Sequence, residues 1–300
     1  MYSSPGRVGS ASAGQYCLRL PYGSATDAAT TAAAERTPGI AMGIETTPGR
    51  IAFVAGDRPD AQDAFARLTA LYGQTTTEEA DVIVALGGDG TMLETLRHAL
   101  PLNVPVYGMN CGTVGFLMNA YDPEGLLDRL AAANPVVINP LKMTAEDRRG
   151  QIHEAMAINE IALLRETRQT ARIAVRVQGR TRMDQLICDG ILLSTPAGST
   201  AYNLSAHGPI LPINSNLLAL TPISPFRPRR WRGALLSYDA TVEFEVLEPD
   251  FRRVSATADN MEVRDVYKVT GSISSDVRMT LLFDAGAGLE ERVLEEQFAY

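Results

Sequence analysis

Asp81-Val82-Ile83-Val84-Ala85-Leu86 runs without interruption into Gly87-Gly88-Asp89-Gly90-Thr91, and this junction narrows the possible folds more than any other stretch. Six residues of mostly branched apolar character read as a buried strand, and the glycines that follow permit only a tight turn. Thr91 to Leu100 then reads as a helix stopped by Pro101. A strand that ends in a glycine turn and opens a helix belongs to a parallel α/β sheet, whose ligands sit at the carboxyl ends of the strands. The surrounding segments repeat the rhythm. Ile51–Ala55 is a short apolar run ending in Gly56, and the segment from Pro59 to Tyr72 places Phe65, Leu68, Leu71 and Tyr72 at helical spacing. Val104–Gly108 reads as a third strand, followed by a loop through Cys111–Phe116.

Beyond Asn134 the pattern changes. Gln151–Leu164, Ala171–Gln178, Gln185–Ser194, Ala240–Leu247, Arg252–Ala256 and Val277–Phe283 all suggest strands. Ile173, Val175 and Val177 alternate with polar or small neighbours, the period of a strand with one exposed face. The expected architecture is an α/β domain with a parallel sheet over residues 48–139 and a mostly-β domain over 140–300. Residues 1–47, rich in Ala, Gly, Ser and Thr with little apolar periodicity, are expected to form a disordered tail. Met42 lies just before the folded pattern, so the stretch ahead of it is expected to be dispensable.

Composition excludes several classes. A net charge of −8 argues against a protein that coats nucleic acid or an anionic membrane. No apolar run approaches the roughly 20 residues needed to span a bilayer. No secretory signal is evident, so the expected location is cytoplasmic. Three scattered cysteines, Cys17, Cys111 and Cys188, form neither a disulfide framework nor a metal-ligand pattern. His98, His153 and His207 have no partners at ligand spacing and read as structural.

Two loops carry the chemistry. At Gly87–Thr91 the helix start offers N–H groups and a positive dipole end to a phosphate. Asp89 is out of place there unless its carboxylate accepts a proton from an attacking hydroxyl, holds Mg²⁺, or merely caps the helix. No Gly-Lys-Ser/Thr follows, so the turn is not a Walker A loop. The second loop is Asp189-Gly190-Ile191-Leu192-Leu193-Ser194-Thr195-Pro196-Ala197-Gly198-Ser199-Thr200-Ala201-Tyr202, continuing as Asn203-Leu204-Ser205-Ala206-His207-Gly208-Pro209. Small, hydroxylated residues here allow close backbone approach and further hydrogen bonds. Two such loops in one chain suit a nucleotide handled from two sides. The arginines Arg165, Arg168, Arg172, Arg176 and Arg227, Arg229, Arg230, Arg232 could hold donor phosphates, or form solvated faces or oligomer contacts.

The first loop resembles the GGDG loop shared by NAD kinases, diacylglycerol and sphingosine kinases, and phosphofructokinases. Asn159-Glu160 matches the NE motif, and the segment from Asp189 to Ser205 resembles the signature DGxxxSTPxGSTAY. In that order and spacing they give a resemblance to the bacterial NAD kinase family over roughly Arg50 to Tyr300. The resemblance implies ATP-dependent, Mg²⁺-assisted phosphorylation of the adenosine-ribose 2′-hydroxyl of NAD. It implies that Asp89 faces that hydroxyl as the catalytic group, with Gly90 supplying close backbone approach. Asn159 and Glu160 would bind the adjacent ribose or adenine. Thr200, Ala201, Tyr202, Asn203, Leu204 and Ser205 would line the adenine pocket, and Asp189 and Ala197 would contact the nicotinamide half. A polar substrate contact is expected near Asp259-Asn260, and a homo-oligomer is implied. Ile187 stands where some relatives carry a basic residue, which leaves the preference between NAD and NADH open. Two other readings share features: a diacylglycerol-type lipid kinase, and a non-catalytic NAD-binding sensor that keeps the pocket.

Overall fold

The computed structural model describes residues 49–112 and 115–286; the expected tail lies outside them, as do Thr113 and Val114. The first sheet contains β1 (Ile51–Ala55), β2 (Val82–Gly87), β3 (Val106–Asn110), β4 (Asn119–Ala120) and β5 (Asn134–Ile138), together with β18 (Met279–Phe283). Its order is β1-β2-β3-β18-β5, parallel except for β5, with β4 beside the end of β3. β18 falls within the half expected to be mostly β, yet it returns to lie between β3 and β5.

Helices cover both faces of this sheet, so its central strands are apolar at every position rather than alternating. α1 (Pro59–Tyr72) and α3 (Leu126–Ala131) bury Ala64, Leu68, Leu126 and Leu130 on one face, against Phe53, Val84 and Tyr107. α2 (Asp89–Ala99) buries Met92, Leu96 and Ala99 on the other, against Ala52, Ile83, Ala85 and Val106. Because β1, β2 and β3 are neighbours in order, helices on opposite faces require crossovers of opposite hand. One of the two is therefore the rare left-handed form. That placement turns α2 toward the second half of the chain: Ile158, Ala197 and Ile213 join its apolar core.

The second half is a sandwich of two antiparallel sheets. One contains β6 (Leu141–Asp147), β7 (Ile152–Ala157), β9 (Ala171–Val177), β10 (Arg180–Cys188), β14 (Val242–Val246) and β17 (Val266–Ile273), in the order β10-β9-β14-β17-β6-β7. The other contains β8 (Glu160–Arg165), β11 (Gly190–Ser194), β12 (Leu217–Ile223), β13 (Ala234–Ser237), β15 (Val254–Ala258) and β16 (Met261–Val263), in the order β13-β12-β11-β8-β15-β16. A single core of inward-facing residues, among them Ile161, Leu163, Ile191, Leu193, Val175 and Phe244, fills the space between them. The segments read as single strands over Gln151–Leu164 and Gln185–Ser194 are each two strands. The chain changes sheets at Ile158-Asn159 and again at Asp189, and both corners carry candidate site residues. No described helix is long and apolar enough to cross a membrane.

Candidate functional site

Gly88 precedes the first turn of α2 and no side chain caps it, so the opening N–H groups of the helix face the turn. Gly87 is required by crowding, since a Cβ there would lie 2.3 Å from Thr91 Oγ1. Asp89 does not cap its own helix. Its Oδ2 accepts the Phe116 N–H at 2.8 Å and its Oδ1 the Leu117 N–H at 2.9 Å. The carboxylate therefore fastens the loop after β3 to the start of α2. Each oxygen keeps a lone pair for a further partner. This clamp is not legible in the sequence, because its donors are the backbone amides of two apolar residues, Phe116 and Leu117.

The Ile158-Asn159 corner is organised by a residue a hundred positions away. Asp259, at the turn between β15 and β16, accepts the N–H groups of Ile158 (2.8 Å), Asn159 (2.9 Å) and Glu160 (3.2 Å). Arg97 of α2 completes the set with a 2.8 Å ion pair. Glu160 is 9% exposed, and its Oε2 has no hydrogen-bond partner among the described residues. Burial, with the neighbouring charge of Asp259 second, pushes its carboxyl up to about 7. A buried carboxyl oxygen without a partner is rare enough in native proteins to mark a group able to receive a ligand.

The Thr195–Thr200 turn docks onto the same corner. The Thr195 N–H donates to Asn159 O at 2.9 Å and the Thr195 hydroxyl to Ile158 O at 2.7 Å. A Cβ on Gly198 would fall 2.3 Å from Asn159 O, so only glycine fits. Ala197 is half-buried against the α2 core. Thr200 and Ala201 are half-buried and lead into the short helix α4 (Tyr202–Ser205). Asn203, expected at an adenine, is fully buried. Its amide donates to Ser199 O and Pro209 O and its carbonyl accepts from the Thr221 hydroxyl, so it holds the segment on its sheet. Leu204 is half-buried and Ser205 exposed.

Tyr202 borders two clefts. One, of about 590 Å³, is lined by Arg165, Arg168 and Asp189 among others. The other, of about 300 Å³, includes Ser205, His207, Trp231 and Arg232. Burial chiefly, then the charges of Glu160 and Asp189, raises the Tyr202 phenol, which places all three groups within electrostatic reach. Asp189 is held by Arg165 Nε at 2.6 Å. Ile187 is bridged through its backbone to Arg227, so a basic residue stands beside the apolar position. Arg172 and Arg176 pair with Glu248 and Glu245, and Arg227 and Arg229 lie over Phe226. A further cleft, of about 560 Å³, opens beside α2 and the end of β1, lined by Gly56, Asp57, Thr91, Glu94, Thr95 and His98 among others. Of the histidines, His98 meets the Thr77 hydroxyl and His153 meets Asp147. Cys111 and Cys188 are free thiols.

Fold and site together define a two-part nucleotide-binding protein, an α/β half and a β sandwich meeting at α2 and the Asn159 corner. Residues 26–133 match the ATP-NAD kinase N-terminal domain and residues 158–266 the ATP-NAD kinase C-terminal domain. An NAD kinase of Caulobacter vibrioides is 60% identical over 250 residues, covering 83% of this chain and 96% of that protein. An NAD kinase of Hyphomonas neptunium is 58% identical over 254 residues, covering 85% and 100%. The crystal structure of an NAD kinase from Archaeoglobus fulgidus in complex with ATP superposes with a TM-score of 0.64 at 26% identity, covering 82% of this chain and 98% of that one. Yeast NADH kinase complexed with NADH shares the fold, with a TM-score of 0.72 at 19% identity and coverage of 82% and 86%. The chain belongs to the NAD kinase family.

Proposed function

We propose that this protein transfers the γ-phosphoryl group of ATP to the 2′-hydroxyl of the adenosine ribose of NAD, giving NADP. The observation that carries the reading is that one helix joins two candidate sites: α2 opens at the Gly87–Thr91 turn with its carboxylate and is tied, through Arg97 and Asp259, to the Asn159-Glu160 corner with its unpartnered buried oxygen. Family membership supports the substrate and the donor.

Asp89 takes up the proton as the ribose oxygen bonds to phosphorus and the bond to the departing ADP oxygen breaks. A loose transition state asks for positioning and charge neutralisation more than for a strong base. The Phe116 and Leu117 amides hold the carboxylate in one orientation for this task. Gly90 allows the substrate backbone-close approach, and Asn159 and Glu160 receive ribose or adenine. Thr200, Ala201, Tyr202, Asn203, Leu204 and Ser205 form the adenine side, with the Tyr202 ring as its flat face. Asp189 and Ala197 serve the nicotinamide half. The cleft along α2 accepts the donor phosphates. A homo-oligomeric working unit is supported by the family resemblance.

Mg²⁺ fits this chemistry as a partner of the donor phosphates. Among the described residues no group of three His, Cys, Asp or Glu could hold a metal ion. Mg²⁺ is ordinarily held by one or two carboxylates together with phosphate oxygens and water. Asp57 and Glu94, which line the donor cleft, would hold it there, where it would neutralise phosphate charge.

The test is to incubate the purified protein with NAD, ATP and Mg²⁺ and to measure NADP with an NADP-specific dehydrogenase. Steady formation of NADP is expected. Tight NAD binding without NADP would favour the sensor reading instead.

A further inference from the structure

Asp259 sits in an uncommon backbone conformation for a non-glycine residue, with φ of 51°, and its side chain is only 4% exposed. Burial of a carboxylate at that depth is costly unless it is paired and hydrogen-bonded. Three of its four donors are the consecutive amides of Ile158, Asn159 and Glu160. The fourth, Arg97, comes from the other half of the chain. Arg97 lies eight residues after Asp89 on the same helix, about 12 Å along its axis. A rigid α-helix thus carries the proposed catalytic carboxylate at one end and a salt bridge to the substrate corner further along. Apolar contacts of Met92 and Leu96 with the Ile158 corner hold the same face but do not fix sliding along it.

We infer that the Arg97–Asp259 pair is a positioning strut, which sets α2, and with it Asp89, against the Asn159-Glu160 corner. Asp259 serves as the hub because one carboxylate fixes both the corner and the helix. The inference rests on Asp89 being the catalytic group. Removing Arg97 leaves Asp259 its three backbone donors, so the corner keeps its shape while the helix loses its tie. Binding of NAD and turnover should therefore part company. Asp259→Asn, which puts a donor against the amides or the guanidinium, should damage both.

The experiment measures kcat and KM for NAD in Arg97→Ala, Asp259→Asn and the double variant, with melting temperatures to exclude partial unfolding. Arg97→Ala is expected to lower kcat about 10- to 100-fold, the cost of a misplacement on the order of 1 Å, with KM for NAD within about threefold. Asp259→Asn is expected to raise KM for NAD as well as lowering kcat. The double variant should be no slower than Asp259→Asn, because residues acting as one unit are not additive. Turnover of Arg97→Ala within about twofold of the parent, or additive losses in the double variant, would overturn the strut. If Arg97→Ala does not fold, Arg97→Gln, which keeps the stem and loses the charge, is read by the same criteria. Asp89→Asn run alongside separates the two ideas. An inactive Asp89→Asn with a normal Arg97 variant removes the strut alone, whereas an active Asp89→Asn removes the assignment on which it rests.

Discussion

Glu160→Gln is expected to stabilise the protein, by an amount that depends on pH. The carboxyl is 9% exposed, faces the charge of Asp259, and is raised from 4.5 to about 7. At about 1.4 kcal/mol for each factor of ten in proton affinity, that rise amounts to about 3 kcal/mol. Because the folded state holds the proton more tightly than the unfolded chain, the stability contributed by protonated Glu160 is complete below about pH 4.5. It is lost as the pH rises through about 7, where the buried group must ionise. Glutamine never ionises, so the variant escapes the loss. Thermal unfolding of both proteins from pH 4.5 to pH 8 reads the effect directly. The melting temperature of the variant relative to the parent should climb by roughly 6–12 °C across that range, taking about 2–4 °C for each kcal/mol. A difference that stays constant with pH would show that the charged carboxylate is already neutralised or hydrated, and the reasoning about this corner would fail.

Tyr202→Ala removes a face on which a base can stack, worth roughly 1–3 kcal/mol; steady-state kinetics should show KM for NAD rising far more than KM for ATP, and equal rises would move Tyr202 out of the adenine side. Gly198→Ala forces a methyl group to within 2.3 Å of Asn159 O, so a loss of about 1–3 kcal/mol in denaturant unfolding is expected, together with weaker NAD binding as the corner shifts. Arg165→Ala breaks an ion pair that is 34% and 39% exposed, which should change stability by less than about 1 kcal/mol. A large fall in melting temperature would show that this pair is structural rather than part of an open cleft.

The strands of the first sheet were legible because both of its faces are covered, which writes them as unbroken apolar runs at Ile51–Ala55 and Val82–Leu86. The GGDG turn and the Asp189–Ser205 segment were equally plain, since Gly87, Gly190 and Gly198 answer local crowding. The corner at Asn159 was not. A run of apolar residues gives no notice that it changes sheets, and the cause, Asp259, lies a hundred positions downstream. The return of Met279–Phe283 to the first sheet is of the same kind, a pairing decided by β3 and β5 rather than by the strand itself. The anchoring of Asn203 was not legible either, because its partners, Ser199, Pro209 and Thr221, meet only when the segment folds over its sheet. Asp89 carried more than its sequence position implied. The charge at a phosphate turn reads as a catalytic device, while its two amide partners are invisible until the loop after β3 is in place.

The most direct measurement is turnover by Asp89→Asn, with NAD affinity measured by calorimetry and the folded state checked by melting temperature. Asparagine keeps one acceptor for the two amides of Phe116 and Leu117, so a stability loss of about 1–3 kcal/mol is expected from the clamp alone. Loss of the proton acceptor should lower kcat by about 10²–10⁴-fold, with the dissociation constant for NAD changed by no more than a few-fold. A folded Asp89→Asn protein that forms NADP within a few-fold of the parent rate would contradict the role proposed for this carboxylate and leave it only the fastening of the loop.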